Sequence, residues 1–128
     1  MNGANPPRLD GRRILVVEDE YVIAMEIADV LADFGAVIIG PAGSVEEALG
    51  LVSQEGPVDA AVLDVNLGGQ KVFPVAEALD ARAVPYLFAT GYDASVLEAF
   101  PQPPRLEKPA DPRVIAATLG RLLNGDGV

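Results

Sequence analysis

Four apolar segments of the sequence are each followed by polar residues whose types could perform chemistry together. These residues comprise carboxylates, an amide, a hydroxyl and an ammonium group: Glu18, Asp19, Asp64, Asn66, Thr90 and Lys108. Taken singly, each has an ordinary structural explanation as a helix cap, a turn former or a surface charge. Their occurrence after successive apolar segments is harder to explain by chance and favours one shared site.

The acids Glu18, Asp19 and Asp64 would repel one another at such a site. Two like charges about 4 Å apart near a protein surface repel by roughly 4 kcal/mol at an effective dielectric of about 20. This repulsion raises carboxyl pKa values unless a cation offsets it. Because the chain has no His and no Cys, a metal would need oxygen ligands, which favours Mg²⁺. A metal, a carboxylate, a hydroxyl and an ammonium group suit stabilisation of a phosphoryl group on Asp64.

Short apolar segments alternate with longer amphipathic ones and would position these residues. The run Ile14–Val17 is typical of a strand buried on both faces. The last helix is predicted to begin after the cap residue Asp111, with Pro112 at its first position, and to bury Val114 and Ile115. Five strand–helix units predict an α/β fold with a doubly wound, five-stranded parallel sheet. Such sheets bind ligands at the carboxyl ends of their strands, where all the polar residues above would lie.

The composition limits the classes of function. A chain of 128 residues has the length of one typical domain. With 9 basic and 19 acidic residues, its formal net charge is −10, which argues against nucleic acid or an anionic membrane surface as partner. Zero Cys and zero His exclude disulfides, thiolate or imidazole ligands, and Ser-His-Asp catalysis.

The arrangement along the chain also bears on location and domain limits. No apolar run reaches the ~20 residues of a membrane-spanning helix, and the N-terminal segment lacks the apolar stretch of a signal peptide. We therefore expect a cytoplasmic protein. We expect residues 1–12, which are polar and contain Pro6-Pro7, to form a flexible lead-in. Residues 13–124 would form the domain, and residues 125–128 a C-terminal tail.

Four motifs together resemble the receiver domain of two-component response regulators. They are Ile14–Glu20, Val62–Asn66, Phe88–Thr90 and Glu107–Pro109, and the resemblance extends from about Arg13 to Leu123. It implies a flavodoxin-like sheet with strand order 2-1-3-4-5. It also implies a phosphoacceptor signalling domain that assists its own phosphotransfer and autodephosphorylation, rather than an enzyme in the usual sense.

The resemblance assigns roles residue by residue. It implies that Asp64 accepts a phosphoryl group from the phosphohistidine of a sensor histidine kinase. Asp19 and Asp64 would bind Mg²⁺ directly, Glu18 through water, and Asn66 through its backbone carbonyl. Lys108 would pair with the phosphoryl oxygens, and Thr90 would move to donate a hydrogen bond to them. The Lys108–Pro109 peptide bond is expected to be cis.

The string Phe88-Ala89-Thr90-Gly91-Tyr92 resembles a subfamily of single-domain receivers from alphaproteobacteria that is associated with stress signalling. Tyr92 and Asn66 hold places, two residues beyond Thr90 and Asp64, where side chains control access of water to the acyl phosphate. We expect Tyr92 to slow hydrolysis by shielding this group.

Two features depart from the family pattern. Arg105 stands where the family usually has Tyr or Phe, so the aromatic side chain that moves with Thr90 is missing there. Thr90 and Lys108 are also only 18 positions apart, with three prolines between them. The sequence therefore predicts a shortened or distorted fourth helix.

Rival functions fit the sequence less well. A nucleotide-binding domain would need a glycine-rich turn after the first strand, where Glu18-Asp19-Glu20 would repel phosphate. A haloacid dehalogenase-type phosphatase would carry Asp-x-Asp at that place. A receiver-like adaptor that is not phosphorylated remains an alternative. Output would occur by protein–protein contact with an unidentified downstream protein, and the domain could also serve as a phosphorelay intermediate or a phosphate sink.

Overall fold

The computed structural model describes residues 8–54, 56–91 and 94–125. These residues form seven strands and five helices. In chain order they are β1 (Arg13–Val17), α1 (Tyr21–Asp33), β2 (Val37–Ala42), α2 (Val45–Gln54), β3 (Ala60–Asp64), β4 (Asn66–Leu67), β5 (Gln70–Lys71), α3 (Phe73–Ala81), β6 (Tyr86–Thr90), α4 (Ala94–Ala99), β7 (Arg105–Glu107) and α5 (Pro112–Leu123).

Five of the strands form one parallel sheet in the order β2-β1-β3-β6-β7. The other two, β4 and β5, form a small antiparallel hairpin after β3. Because this hairpin stands apart from the main sheet, β6 and β7 are the fourth and fifth strands of that sheet. The expected five-stranded α/β fold with strand order 2-1-3-4-5 is therefore confirmed.

Alternating side chains along the strands divide the core into two layers. On one face, Leu15, Leu63 and Phe88 pack under α2, α3 and α4. On the other face, Val16 and Leu87 pack under α1 and α5. Successive residues of a strand point to opposite faces, so a strand covered on both sides must be apolar throughout. This requirement explains the continuous apolar runs in the sequence.

Side chains cap the starts of α2 and α5, and the cap at α5 is the predicted one. Ser44 Oγ accepts a hydrogen bond from the Glu47 backbone N–H at 3.1 Å, and Glu47 Oε1 accepts one from Gly43 N–H at 2.8 Å, close to a capping box. At α5, the side chain of Asp111 accepts a hydrogen bond from Arg113 N–H at 2.9 Å. These contacts satisfy backbone donors at the helix starts that have no partner within the helix.

Helices α1 and α3 end in the same backbone motif but with different residues. After α1, Gly35 has φ +97° and Ala36 N–H donates to Leu31 O at 3.2 Å. After α3, Ala83 has φ +58° and Val84 N–H donates to Leu79 O at 3.0 Å. Both are Schellman ends, in which one residue adopts the left-handed conformation that glycine tolerates best.

Helix α4 has only six residues, which confirms the predicted shortening. The Lys108–Pro109 peptide bond is cis, as expected, and so is Gly40–Pro41. No helix in the described part of the chain is both long and apolar enough to cross a membrane.

One expectation about burial is wrong, and part of the expected lead-in packs on the domain. Leu9 is fully buried and its N–H donates to Phe34 O at 3.0 Å. Val114 is 47% exposed rather than buried, since it lies on the solvent side of the first turn of α5. Residues 1–7 of the expected lead-in, and residues 126–128 of the expected tail, lie outside the described residues.

Candidate functional site

The strand register aligns the carboxyl ends of four strands at one edge of the sheet. Asp64, the last residue of β3, pairs with Ala89 on β6, and Thr90, the last residue of β6, pairs with Glu107 on β7. Glu18 directly follows β1, and Lys108 directly follows β7. Parallel strands thus bring residues from distant parts of the sequence to one place, as the sequence predicted.

Three carboxylates meet at this edge. Each of Glu18, Asp19 and Asp64 offers an oxygen atom, and these atoms all lie within 4.8 Å of one another. Glu18 is 3% exposed and Asp64 is 6% exposed, whereas Asp19 lies at the surface. Buried carboxylates are costly unless they are paired or bind a cation, so the cluster requires positive charge.

Lys108 supplies part of this charge. Its Nζ atom donates hydrogen bonds to Glu18 Oε1 at 2.8 Å and to Asp64 Oδ2 at 3.0 Å. The other Glu18 oxygen accepts from Glu20 N–H at 3.1 Å. The backbone N–H of Lys108 donates to Thr90 O at 2.8 Å, which fixes the lysine against the end of β6.

These contacts determine how the two central groups titrate. Burial raises the pKa of Asp64 to about 6; the hydrogen bond from Lys108 opposes this shift, and the Glu18 charge adds to it. Burial acts to lower the pKa of Lys108, but its hydrogen bonds to Glu18 and Asp64 outweigh burial and leave the pKa raised. At neutral pH, Asp64 is therefore mostly an ionised carboxylate beside a protonated ammonium group.

The β4–β5 hairpin lies against this cluster and was not predicted from the sequence. Gly68 N–H donates a hydrogen bond to Asp19 Oδ2 at 3.0 Å, so the hairpin turn orients an exposed carboxylate of the site. Gly68 and Gly69 both have positive φ, and Gly-Gly between two short segments is a known hairpin signal. That signal was present in the sequence.

The side chain of Asn66 points to the hairpin rather than to the carboxylates. Its Oδ1 accepts a hydrogen bond from Lys71 Nζ at 2.9 Å, while its backbone N–H donates to Asp64 Oδ1 at 3.4 Å. Asn66 therefore approaches Asp64 through its backbone. That the backbone carbonyl of Asn66 binds a metal stays a prediction.

The donor set fits a hard divalent cation. Glu18, Asp19 and Asp64 together carry more negative charge than the one ammonium group of Lys108 offsets. Carboxylate oxygens are the ligands that Mg²⁺ prefers, and the sequence contains no imidazole or thiol to favour another metal. These three residues could therefore hold Mg²⁺.

Three further residues were predicted to belong to the site, and the structure describes two of them, Thr90 and Arg105. Thr90 is 4% exposed, and its Oγ1 is buried without a hydrogen-bond partner in the described part of the chain. Arg105 is exposed on the edge strand β7, opposite Phe88. Tyr92 lies outside the described residues.

A cavity of about 330 Å³ adjoins the cluster between α1 and α5. Glu18, Lys108 and apolar side chains such as Ile27 and Ile115 line it. At the start of α1, Tyr21 and Val22 are 76% and 78% exposed.

No family model matches the chain. Transcriptional regulatory protein PdtaR from Mycobacterium tuberculosis (strain CDC 1551 / Oshkosh) is 30% identical over 105 residues, which cover 82% of this chain and 47% of PdtaR. The chain spans less than half the length of the curated relatives that it matches.

Two solved structures are similar to this chain over nearly the whole of their own length. The BeF3-activated conformation of SdrG from Pseudomonas melonis Fr1 is 47% identical, with a TM-score of 0.70 over 87% of this chain and 95% of that one. The receiver (REC) domain of the response regulator PhyR from Erythrobacter litoralis is 26% identical, with a TM-score of 0.76 over 90% of this chain and 92% of that one.

Proposed function

The chain belongs to the receiver domains of response regulators, and from this premise we propose that Asp64 accepts a phosphoryl group. The observation that carries the proposal is the pair of hydrogen bonds from Lys108 Nζ to Asp64 and Glu18. They hold one ammonium group beside a carboxylate that is ionised at neutral pH. Phosphoryl transfer needs such a nucleophile and positive charge near the transferred oxygens.

The chemistry is a transfer from nitrogen to oxygen. A carboxylate oxygen of Asp64 attacks the phosphorus of a phosphohistidine, the P–N bond breaks as the P–O bond forms, and the released imidazole nitrogen takes up a proton. Because the chain contains no His, the donor histidine lies outside these 128 residues. The product is an acyl phosphate on Asp64.

Lys108 and Thr90 receive the transferred group in this proposal. The Lys108 ammonium, held by its backbone hydrogen bond to Thr90 O, neutralises a phosphoryl oxygen. The buried hydroxyl of Thr90 lacks a partner in the described structure, and a phosphoryl oxygen on the neighbouring Asp64 gives it an acceptor. An unpaired buried hydroxyl is costly, so this hydrogen bond favours the phosphorylated arrangement.

The site would supply positive charge to the phosphoryl oxygens if it held Mg²⁺. Asp19 and Asp64 would hold the ion directly, Glu18 through water, and Asn66 through its backbone carbonyl. The mutual proximity of the three carboxylates supports this assignment. Gly68 N–H orients one Asp19 oxygen and leaves the other available.

The partners follow from the surface and charge. A sensor histidine kinase would dock at the start of α1, where Tyr21 and Val22 are exposed, and output would pass to a downstream protein by contact. The net charge of −10 disfavours nucleic acid and anionic membranes, which fits action in the cytoplasm. The domain could also act as a phosphorelay intermediate or a phosphate sink, because both roles need the same transfer of a phosphoryl group to Asp64.

The identity to SdrG over 95% of that chain supports placing the chain with the receivers that share the Phe88–Tyr92 motif. In such a domain, Tyr92 and Asn66 would control the access of water to the acyl phosphate and hence the rate at which it hydrolyses. The hydrogen bond from Lys71 to Asn66 Oδ1 keeps that amide to one side of Asp64.

The proposal is tested by incubating the protein with acetyl phosphate and Mg²⁺ and measuring intact mass. Wild type should gain one base-labile phosphoryl group, and Asp64→Asn should gain none. Asp29→Asn, which removes an exposed carboxylate on α1, should behave as wild type. If wild type gains no phosphoryl group, the adaptor alternative replaces this proposal.

A further inference from the structure

The β4–β5 hairpin is anchored to the core on one side and polar on the other. Val65, Leu67 and Val72 are each 2% exposed or less, and Val72 N–H donates to Val65 O at 2.8 Å. Asn66 and Lys71 pair across the two strands, and both are exposed. The anchored backbone therefore fixes the points from which these two polar side chains extend.

Asn66 connects the hairpin to Asp64 through its backbone and to Lys71 through its side chain. Its backbone N–H donates to Asp64 Oδ1 at 3.4 Å, and its Oδ1 accepts from Lys71 Nζ at 2.9 Å. A carboxamide has one acceptor oxygen and one NH₂ donor group, and hydrogen bonds from charged donors are the stronger ones. Lys71 thus holds the acceptor end of the amide towards the hairpin.

The direction of this acceptor matters for the fate of an acyl phosphate on Asp64. In its hydrolysis, a water oxygen bonds to phosphorus and the bond from phosphorus to the Asp64 oxygen breaks. The products are inorganic phosphate and the Asp64 carboxylate, and one water proton passes to solvent. A carboxamide oxygen that accepts a hydrogen bond from the attacking water can orient it for this reaction.

We infer that Lys71 is a positioning residue that slows hydrolysis of the acyl phosphate by holding Asn66 Oδ1 away from the attacking water. Lys108 donates to Asp64 directly, whereas Lys71 acts through the Asn66 amide. The two lysines of the chain therefore have separate tasks, the first in phosphoryl transfer and the second in the lifetime of the product. This inference rests on the proposed phosphorylation of Asp64.

The test is the rate at which the phosphorylated protein loses its phosphoryl group. Each protein is phosphorylated with acetyl phosphate and Mg²⁺, the donor is removed by desalting, and intact mass is followed over time. Lys71→Met should lose the group about threefold or more faster than wild type, the scale set by one hydrogen bond. Gln70→Met, the same change at the adjacent exposed residue, should match wild type. Equal rates for Lys71→Met and wild type overturn the inference.

A cycle with Asn66→Ala separates an effect through the amide from a direct effect of the lysine charge. Asn66→Ala removes the amide but keeps the backbone N–H and carbonyl groups. In this background Lys71→Met should leave the rate of hydrolysis unchanged, because the group that it releases is absent. The same acceleration in both backgrounds would show that Lys71 acts by its charge alone, and it would overturn the positioning role.

A second measurement needs no phosphorylation. The side-chain NH₂ signal of Asn66 in a ¹H–¹⁵N NMR spectrum, identified by its loss in Asn66→Ala, should shift in Lys71→Met and stay in place in Gln70→Met. An unshifted signal in Lys71→Met overturns the inference whether or not Asp64 is phosphorylated. If the signal shifts but wild type gains no phosphoryl group from acetyl phosphate, the proposed function fails and the role in hydrolysis fails with it, although the contact stands.

Discussion

The Nζ atom of Lys108 lies 3.0 Å from Oδ2 of Asp64, although 44 positions separate the two residues in the sequence. The same Nζ atom reaches Glu18 Oε1 at 2.8 Å. One ammonium group therefore bridges two buried carboxylates at the carboxyl ends of different strands. This bridge links the stability of the domain to the chemistry proposed for it.

Substitution of Lys108 should test both the contribution of this bridge to stability and its role in the proposed phosphorylation. In Lys108→Met, the Glu18 and Asp64 carboxylates lose their cation, and breaking a buried ion pair from one side costs about 3 kcal/mol. We expect that loss in urea unfolding at pH 7.5, together with loss of phosphorylation by acetyl phosphate. Lys71→Met, at an exposed lysine, should cost about 0.5 kcal/mol or less. Equal stability of the two variants would contradict the bridge.

The raised pKa of Asp64 predicts a pH dependence of the metal-free protein. Its pKa is about 6 in the fold against an ordinary 3.8, so between these values the folded state binds more protons than the unfolded state. The Asp64 contribution to stability is thus present at low pH and is lost as pH rises through about 6. Asp64→Asn should therefore stabilise the protein at pH 7.5 by about 1–2 kcal/mol.

This difference is measured in EDTA by urea unfolding of wild type and Asp64→Asn at pH 5 and pH 7.5. The gain from the substitution should be larger at pH 7.5 than at pH 5. A gain that is the same at both pH values would mean that Asp64 is not titrating in this range.

Asp19 is predicted to be a metal ligand whose loss weakens Mg²⁺ binding without unfolding the protein. It is exposed and accepts one hydrogen bond from Gly68, so Asp19→Asn should change the metal-free melting temperature little. The rise in melting temperature on adding Mg²⁺ should shrink, because stabilisation by a ligand follows its affinity. Glu26→Gln, at an exposed acid on α1, serves as the control and should keep the full rise.

Much of this fold could be predicted because its sheet is buried on both faces. That burial imposes apolar strands such as Ile14–Val17, and the parallel connections then place the following polar residues at one edge. The gathering of Glu18, Asp19, Asp64 and Lys108 thus follows from the parallel strands that the hydrophobic pattern predicts, whereas the strand order 2-1-3-4-5 was implied only by the resemblance to receiver domains.

What the sequence did not predict depends on contacts with remote parts of the chain. Leu9 is isolated among polar residues, and only its packing beside the end of α1 makes it a core residue. Val114 matches the helical period, yet it lies on the solvent side of α5. The packing of Phe100 on Phe88 depends on how α4 sits over the sheet, which no local pattern specifies.

The residue after α3 has a left-handed backbone conformation, and it gives a prediction about stability but not about function. Ala83 has φ +58° at a position where α1 uses Gly35, and a non-glycine residue in this conformation costs roughly 1–2 kcal/mol. Glycine removes that cost but gains entropy in the unfolded chain, worth about 0.4–1 kcal/mol. Ala83→Gly should therefore stabilise the protein by about 0.5–1 kcal/mol in urea unfolding.

Two variants serve as controls for this substitution. Ala81→Gly, within α3 and also exposed, should destabilise by up to about 1 kcal/mol because its conformation is helical. Gly35→Ala should destabilise by more, since its φ is +97° and the added Cβ would lie 2.9 Å from Asp10 Cα. If Ala83→Gly lowers the free energy of unfolding as Ala81→Gly does, Ala83 is not strained, and the Schellman end of α3 carries no conformational cost.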